Sequence, residues 1–147
     1  MNTNGYYYTQ DVHSKKYTAL ILFDNGFCCA CHKSFSSLDD INGYLNTKMA
    51  DFPNDKNSSE ASWGKYSIVE NKISIEYFFP NYDNGNIGVY HFEGEQIGLN
   101  SFKLTEMLYN GTKRWPFASE TFYFNHYKPL PSAGNWIEQC SWYKKMQ

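Results

Sequence analysis

Apolar and polar residues alternate with a period of two along most of the chain, the pattern of strands with one face turned inward. In residues 17–23, Tyr17, Ala19, Ile21 and Phe23 share one face, and Asp24-Asn25-Gly26 follows. Asn-Gly supplies the positive φ angles of a tight hairpin, so 27–31 is predicted as the return strand. Residues 63–69 and 72–79 flank Glu70-Asn71. In the second of these, Ile73, Ile75, Tyr77 and Phe79 alternate with Lys72, Ser74 and Glu76. A third pair is predicted over 86–92 and 96–103 with a turn at Glu93-Gly94-Glu95, and 121–127 reads as a further strand with Phe122, Phe124 and His126 on one side. Residues 5–9 read as a first strand, and 136–143 as a last strand or a short helix capped by Asn135.

The period changes once. Leu38, Ile41, Leu45 and Met49 fall three or four residues apart, and Ser37 with Asp40 resembles a capping box. This predicts an amphipathic helix over 38–49, with Gly43 in its middle costing about 1 kcal/mol relative to Ala, so that packing against a sheet has to hold it. Residues 51–62 read as a polar loop. The predicted fold is therefore mainly β: an antiparallel meander closing into a barrel or a strongly curved sheet, with one amphipathic helix inserted after the first hairpin.

The chain has 147 residues, enough for one ordinary domain with a core of its own, and no repeat or linker divides it. Thirteen Tyr, eleven Phe and four Trp strengthen the strand reading, since these side chains suit a pleated, half-buried surface. A formal net charge of -2 gives no positive field for phosphate backbones, and no nucleic-acid partner is expected. The longest apolar run, 19–23, is far short of the ~20 residues of a membrane-spanning helix. Met1 to Tyr8 has no basic region followed by a long apolar stretch, so the sequence as given predicts a soluble chain without a secretory signal, periplasmic or secreted only if a signal was removed. Oligomeric state is not legible. The sequons at Asn57 and Asn110 carry no weight alone.

Cys28, Cys29, Cys31 and His32 form the densest set of potential metal ligands. On a strand, Cys29 and Cys31 share one face while Cys28 and His32 share the other, so the four do not converge. The prediction is free thiols, no metal and no cofactor; a bridge from the distant Cys140 to one of them remains the alternative in an oxidising compartment. There is no phosphate-binding glycine loop, no G-x-S-x-G elbow and no H-E-x-x-H helix, and no catalytic residue is assigned. His91 and Glu93 share a strand face and form a conceivable acid-base pair, although alternation against Tyr90 and Phe92 places them on a solvated outer face. Asp39 and Asp40 suit the first turn of a helix.

Trp63-Gly64-Lys65-Tyr66 running into the 66–75 hairpin, Phe92-Glu93-Gly94-Glu95-Gln96-Ile97 and Phe122-Tyr123-Phe124 together resemble lipocalin-like, calycin-type small barrels over the stretch 63–127. The N-terminal region carries Gly5-Tyr6-Tyr7 where those proteins carry a G-x-W signature. The resemblance implies non-enzymatic binding of a small apolar ligand inside a barrel. Tyr66, Tyr77, Tyr90, Phe92, Phe122 and Phe124 are the expected lining, with the helix covering or plugging the pocket. The alternative is a structural or protein-interaction module of the cell envelope or a secreted complex, with a solid core and exposed anchors at Tyr6, Tyr7, Tyr8, Trp115 and Trp142. An enzyme is the third reading.

Overall fold

The computed structural model describes residues 1–51, 61–81, 86–113 and 117–127. Its elements in chain order are β1 (Gly5–Gln10), β2 (Tyr17–Leu22), β3 (Phe27–Phe35), α1 (Leu38–Asp51), β4 (Ala61–Val69), β5 (Lys72–Asn81), β6 (Asn86–Gly98), β7 (Ser101–Tyr109), β8 (Thr112–Lys113) and β9 (Glu120–His126). Each of β1 to β7 pairs antiparallel with the next, β7 pairs with β9, and β9 returns to β1, so eight strands close into an antiparallel meander barrel. The two-residue β8 folds back on the end of β7. Closure leaves no long free edge among the described strands, which is what allows so aromatic a sheet to exist without inviting edge pairing. The predicted element at 136–143, with Trp136, Cys140 and Trp142, lies outside the described residues.

Alternation sorts the side chains into two cores. Tyr7, Leu20, Leu22, Cys28, Ala30, Ile73, Ile75, Phe92, Phe102, Leu104 and Phe122 point into the barrel. Tyr6, Ala19, Ile21, Phe23, Cys29, Cys31 and Trp63 point outward and are covered by Phe35, Ile41, Tyr44 and Leu45. Strands β1 to β3 are thus buried on both faces, the physical reason that β2 reads Tyr-Thr-Ala-Leu-Ile-Leu with little polarity.

The helix starts where it was predicted. Asp40 N donates to Ser37 Oγ at 3.1 Å, and the Asp40 carboxylate accepts from Ser36 N at 3.0 Å, one residue before the partner of a strict capping box. Ile41, Tyr44 and Leu45 are buried against the outer wall, each contributing about 1.5–3 kcal/mol by area removed from water. The Tyr6 hydroxyl meets Asn42 Oδ1 at 3.0 Å, and Tyr127 donates to Asn42 O at 3.2 Å. The expectation that the helix covers or plugs the barrel is therefore corrected: α1 lies on the outer wall, because its apolar face matches the outward side chains of β1 to β3.

Three turns differ from expectation. Asp24-Asn25-Gly26 forms a three-residue loop in which Gly26 alone has positive φ, 84°, and Phe23 N bonds Phe27 O at 2.9 Å, a type I turn closed by a glycine bulge. Glu93-Gly94-Glu95 is not a turn. It lies inside the 13-residue β6, at a bulge where Glu93 pairs Glu106 and Gly94 pairs Leu104, leaving Thr105 as an extra residue on β7. That extra residue changes the parity of β7, so Phe102 and Leu104 before it and Met107 and Tyr109 after it all fall on the inner side. The actual turn is Leu99-Asn100, and a further tight turn at Asn110-Gly111, φ 49° and 77°, leads into β8.

Candidate functional site

The barrel interior divides into a filled half and a hollow half. At the end bearing the β2–β3, β4–β5 and β6–β7 turns, Tyr7 packs on Phe102 and Phe124 with centroids 5.1 and 5.3 Å away, and Phe102 stacks on Phe122 at 5.0 Å. Tyr7 donates its hydroxyl to Asn2 O at 3.0 Å, and burial raises its pKa to about 12. Tyr66 donates to Phe23 O at 2.7 Å. These satisfied phenols hold the floor in place and offer nothing to a guest.

Toward the opposite end the rings give way to a cavity of about 420 Å³, within the usual range for a small-molecule site. Its wall is mostly apolar: Leu20, Ala30, Ile75, Phe92, Leu104, Met107, Phe117 and Phe122. Thr18, His32, Tyr77, Tyr90 and Glu120 add the polar groups.

His32 follows Cys28 and Ala30 in alternation along β3 and so falls on the inner side. It lines the cavity with Nε2 2.6 Å from Ser62 Oγ and its ring 5.7 Å from that of Tyr77. Burial pushes the imidazole pKa below its ordinary 6.5, which holds the ring neutral. Burial likewise raises the Tyr77 phenol, with Cys28, Tyr90 and Glu120 adding to the effect, so Tyr77 stays protonated and able to donate.

Glu120 opens β9 opposite Leu104, an inward-facing register position. Glu120 is an exposed residue whose carboxyl pKa is raised, by partial burial first and by the field of Asp11 second. It is the one acidic side chain among the described residues lining the cavity, and none of those residues is Lys or Arg.

Of the six aromatics expected as lining, Tyr77, Tyr90, Phe92 and Phe122 border the cavity. Tyr66 and Phe124 also belong to the interior core, but Tyr66 is tied to Phe23 O and Phe124 packs on Tyr7 in the filled half. Glu120 falls in parity with Phe122 but one residue before the strand expected over 121–127, and His32 shares a face with Cys28, so alternation turns both inward without marking either as bordering empty space. Ser62 and Phe117 were likewise unread.

His91 and Glu93 meet, with Nε2 and Oε1 2.5 Å apart, and Glu76 approaches His91 Nδ1 at 3.6 Å. Lys65 extends this line at 3.5 Å from Glu76. All four lie on the outer wall, alternating along their strands with the inward residues Tyr66, Ile75 and Phe92, and none lines the cavity. Cys28, Cys29 and Cys31 are buried, Cys28 facing the interior and the other two belonging to the outer core beneath α1, with Cys31 also bordering the cavity. Tyr6 and Tyr7, expected as exposed anchors, are wholly buried because β1 is covered on both sides; Tyr8 is half-buried, and Trp115 and Trp142 lie outside the described residues.

No protein-family model, curated protein or solved structure matches the chain.

Proposed function

We propose that the protein binds a small, largely apolar molecule in the hollow half of its barrel, without chemical conversion of it. The observation that carries this reading is the cavity itself: a barrel that fills one half with stacked rings leaves about 420 Å³ in the other half, lined by apolar side chains with a few polar groups. The architecture resembles lipocalin-like barrels, and that likeness supports the reading by analogy of fold. Tyr77, Tyr90, Phe92 and Phe122 are proposed as contacts, with Tyr77 offering its hydroxyl. A solid-core interaction module is the weaker reading, since two of its five anchors are buried.

The test is titration with N-phenyl-1-naphthylamine, a neutral probe that fluoresces in apolar surroundings. Saturable one-to-one binding is expected, and Ala30→Trp, which puts an indole into the cavity, should abolish it while the far-ultraviolet circular dichroism is preserved. Equal probe binding by the wild type and a folded Ala30→Trp variant would place the probe elsewhere and reject the proposal.

A further inference from the structure

The reading above leaves open what kind of polar group the guest carries, and the cavity wall bears on it. Four rings converge there: Tyr77 and Tyr90 have centroids 5.7 Å apart, Tyr77 and Phe92 5.5 Å, and Phe117 meets Phe92 edge-on at 5.8 Å. On the same cavity wall stands one carboxyl group among the described residues, Glu120, whose charge adds to the raising of the Tyr77 phenol pKa. Two lysines on the neighbouring strand ends have other engagements. Lys16 Nζ donates to Ser36 Oγ at 2.8 Å, and Lys33 Nζ sits over the Tyr44 ring, 5.7 Å from its centroid. His32, the remaining basic group on the wall, is held neutral.

Resting on the proposal that this cavity binds a small apolar guest, we infer that the guest is an organic cation, a primary or substituted amine on an apolar body, with its ammonium between the Glu120 carboxylate and the faces of Tyr77 and Tyr90. An aromatic face attracts a cation through its quadrupole, and the attraction grows where water is displaced. A carboxylate adds a charge-assisted hydrogen bond. An anionic guest would meet Glu120 with no described positive partner on the wall. A neutral guest would displace water from the carboxylate without supplying an opposite charge. The ammonium alone satisfies both groups.

Competition against bound N-phenyl-1-naphthylamine at neutral pH distinguishes the classes, using octylammonium, octanol and octanoate, which share one apolar tail. Octylammonium is expected to displace the probe about tenfold or more better than octanol, with octanoate weakest. In Glu120→Gln the advantage over octanol should fall to about twofold or less, whereas Glu95→Gln, on the outer face, should keep it. Equal displacement by octylammonium and octanol, or an advantage that survives Glu120→Gln, would overturn the inference while leaving an apolar cavity in place. Failure of the probe to bind at all would instead reject the cavity reading on which it rests.

Discussion

The rings of Phe102 and Phe122 lie face to face across the β7–β9 pair, centroids 5.0 Å apart and planes 6° from parallel, and they form the boundary between the filled and hollow halves of the barrel. Phe102 is fully buried, with Tyr7 on its other side. Phe102→Ala should therefore destabilise the fold by about 3–5 kcal/mol, the sum of lost transfer energy and the void left behind. Chemical denaturation measures the loss. Because the void would join the existing cavity, the same variant should admit longer alkyl guests, and a cost below about 1 kcal/mol would show that the floor is not packed as described.

Two glycines in regular elements should respond with opposite signs. Gly43 sits mid-helix with no atom near the place a Cβ would take, so Gly43→Ala should stabilise the protein by about 0.5–1 kcal/mol through helix propensity and a less free unfolded chain. A Cβ on Gly94 would run into Lys103 O and the Leu104 Cα, backbone that cannot move aside. Gly94→Ala should cost about 1–3 kcal/mol, the usual range for overpacking. Thermal unfolding of the two variants side by side checks both signs.

Gly94 also shows where the sequence is ambiguous. Glu-Gly-Glu between two apolar alternations has the composition of a turn, but here glycine is required because a neighbouring strand passes close at a bulge. Local composition does not separate these cases, since close approach is a property of the pairing. Asn110-Gly111 is the opposite case: read only as part of a sequon, it is a hairpin dipeptide that turns. The alternating strands, the helix and the inward aromatics were legible because each depends on periodicity alone. Which inward residues face empty space was not, because Phe122 and Phe124 share a face and differ only in height within the barrel. His32 shares the face of Cys28 by alternation, but spacing does not tell that this face borders empty space at the height of His32.

His32 should make the protein acid-sensitive. Its folded pKa lies below the ordinary 6.5, so in the interval between the folded value and 6.5 the unfolded chain binds more protons than the native one. Stability then rises with pH in that interval: the neutral imidazole carries no penalty above 6.5, and stability is lost as pH falls below it. Glu120 has the opposite sign, its raised pKa favouring the fold at low pH and that contribution fading as pH rises above the ordinary 4.5. Subtracting the stability profile of His32→Gln from that of the wild type cancels the Glu120 contribution to first order. The difference should decline on acidification through 6.5, and a flat difference would mean that the imidazole is solvated.

The two cores on either side of β3 should open separately. Cys28 faces the barrel interior, and burial raises its thiol pKa, so thiolate is scarce there. Cys29 and Cys31 face outward and are shielded by α1, whose apolar face centres on the fully buried Ile41. Ile41→Ala should weaken that face by about 2–5 kcal/mol, enough to let the helix lift without unzipping the ladder beneath it. Pulsed alkylation of variants that each retain a single cysteine measures the outcome. In the otherwise native sequence all three should react slowly, and in the Ile41→Ala background Cys29 and Cys31 should become reactive while Cys28 stays protected. Equal acceleration at all three would mean that loss of the helix contact unfolds the barrel as a whole, and that α1 is an integral wall of the fold instead of a cover on its outer face.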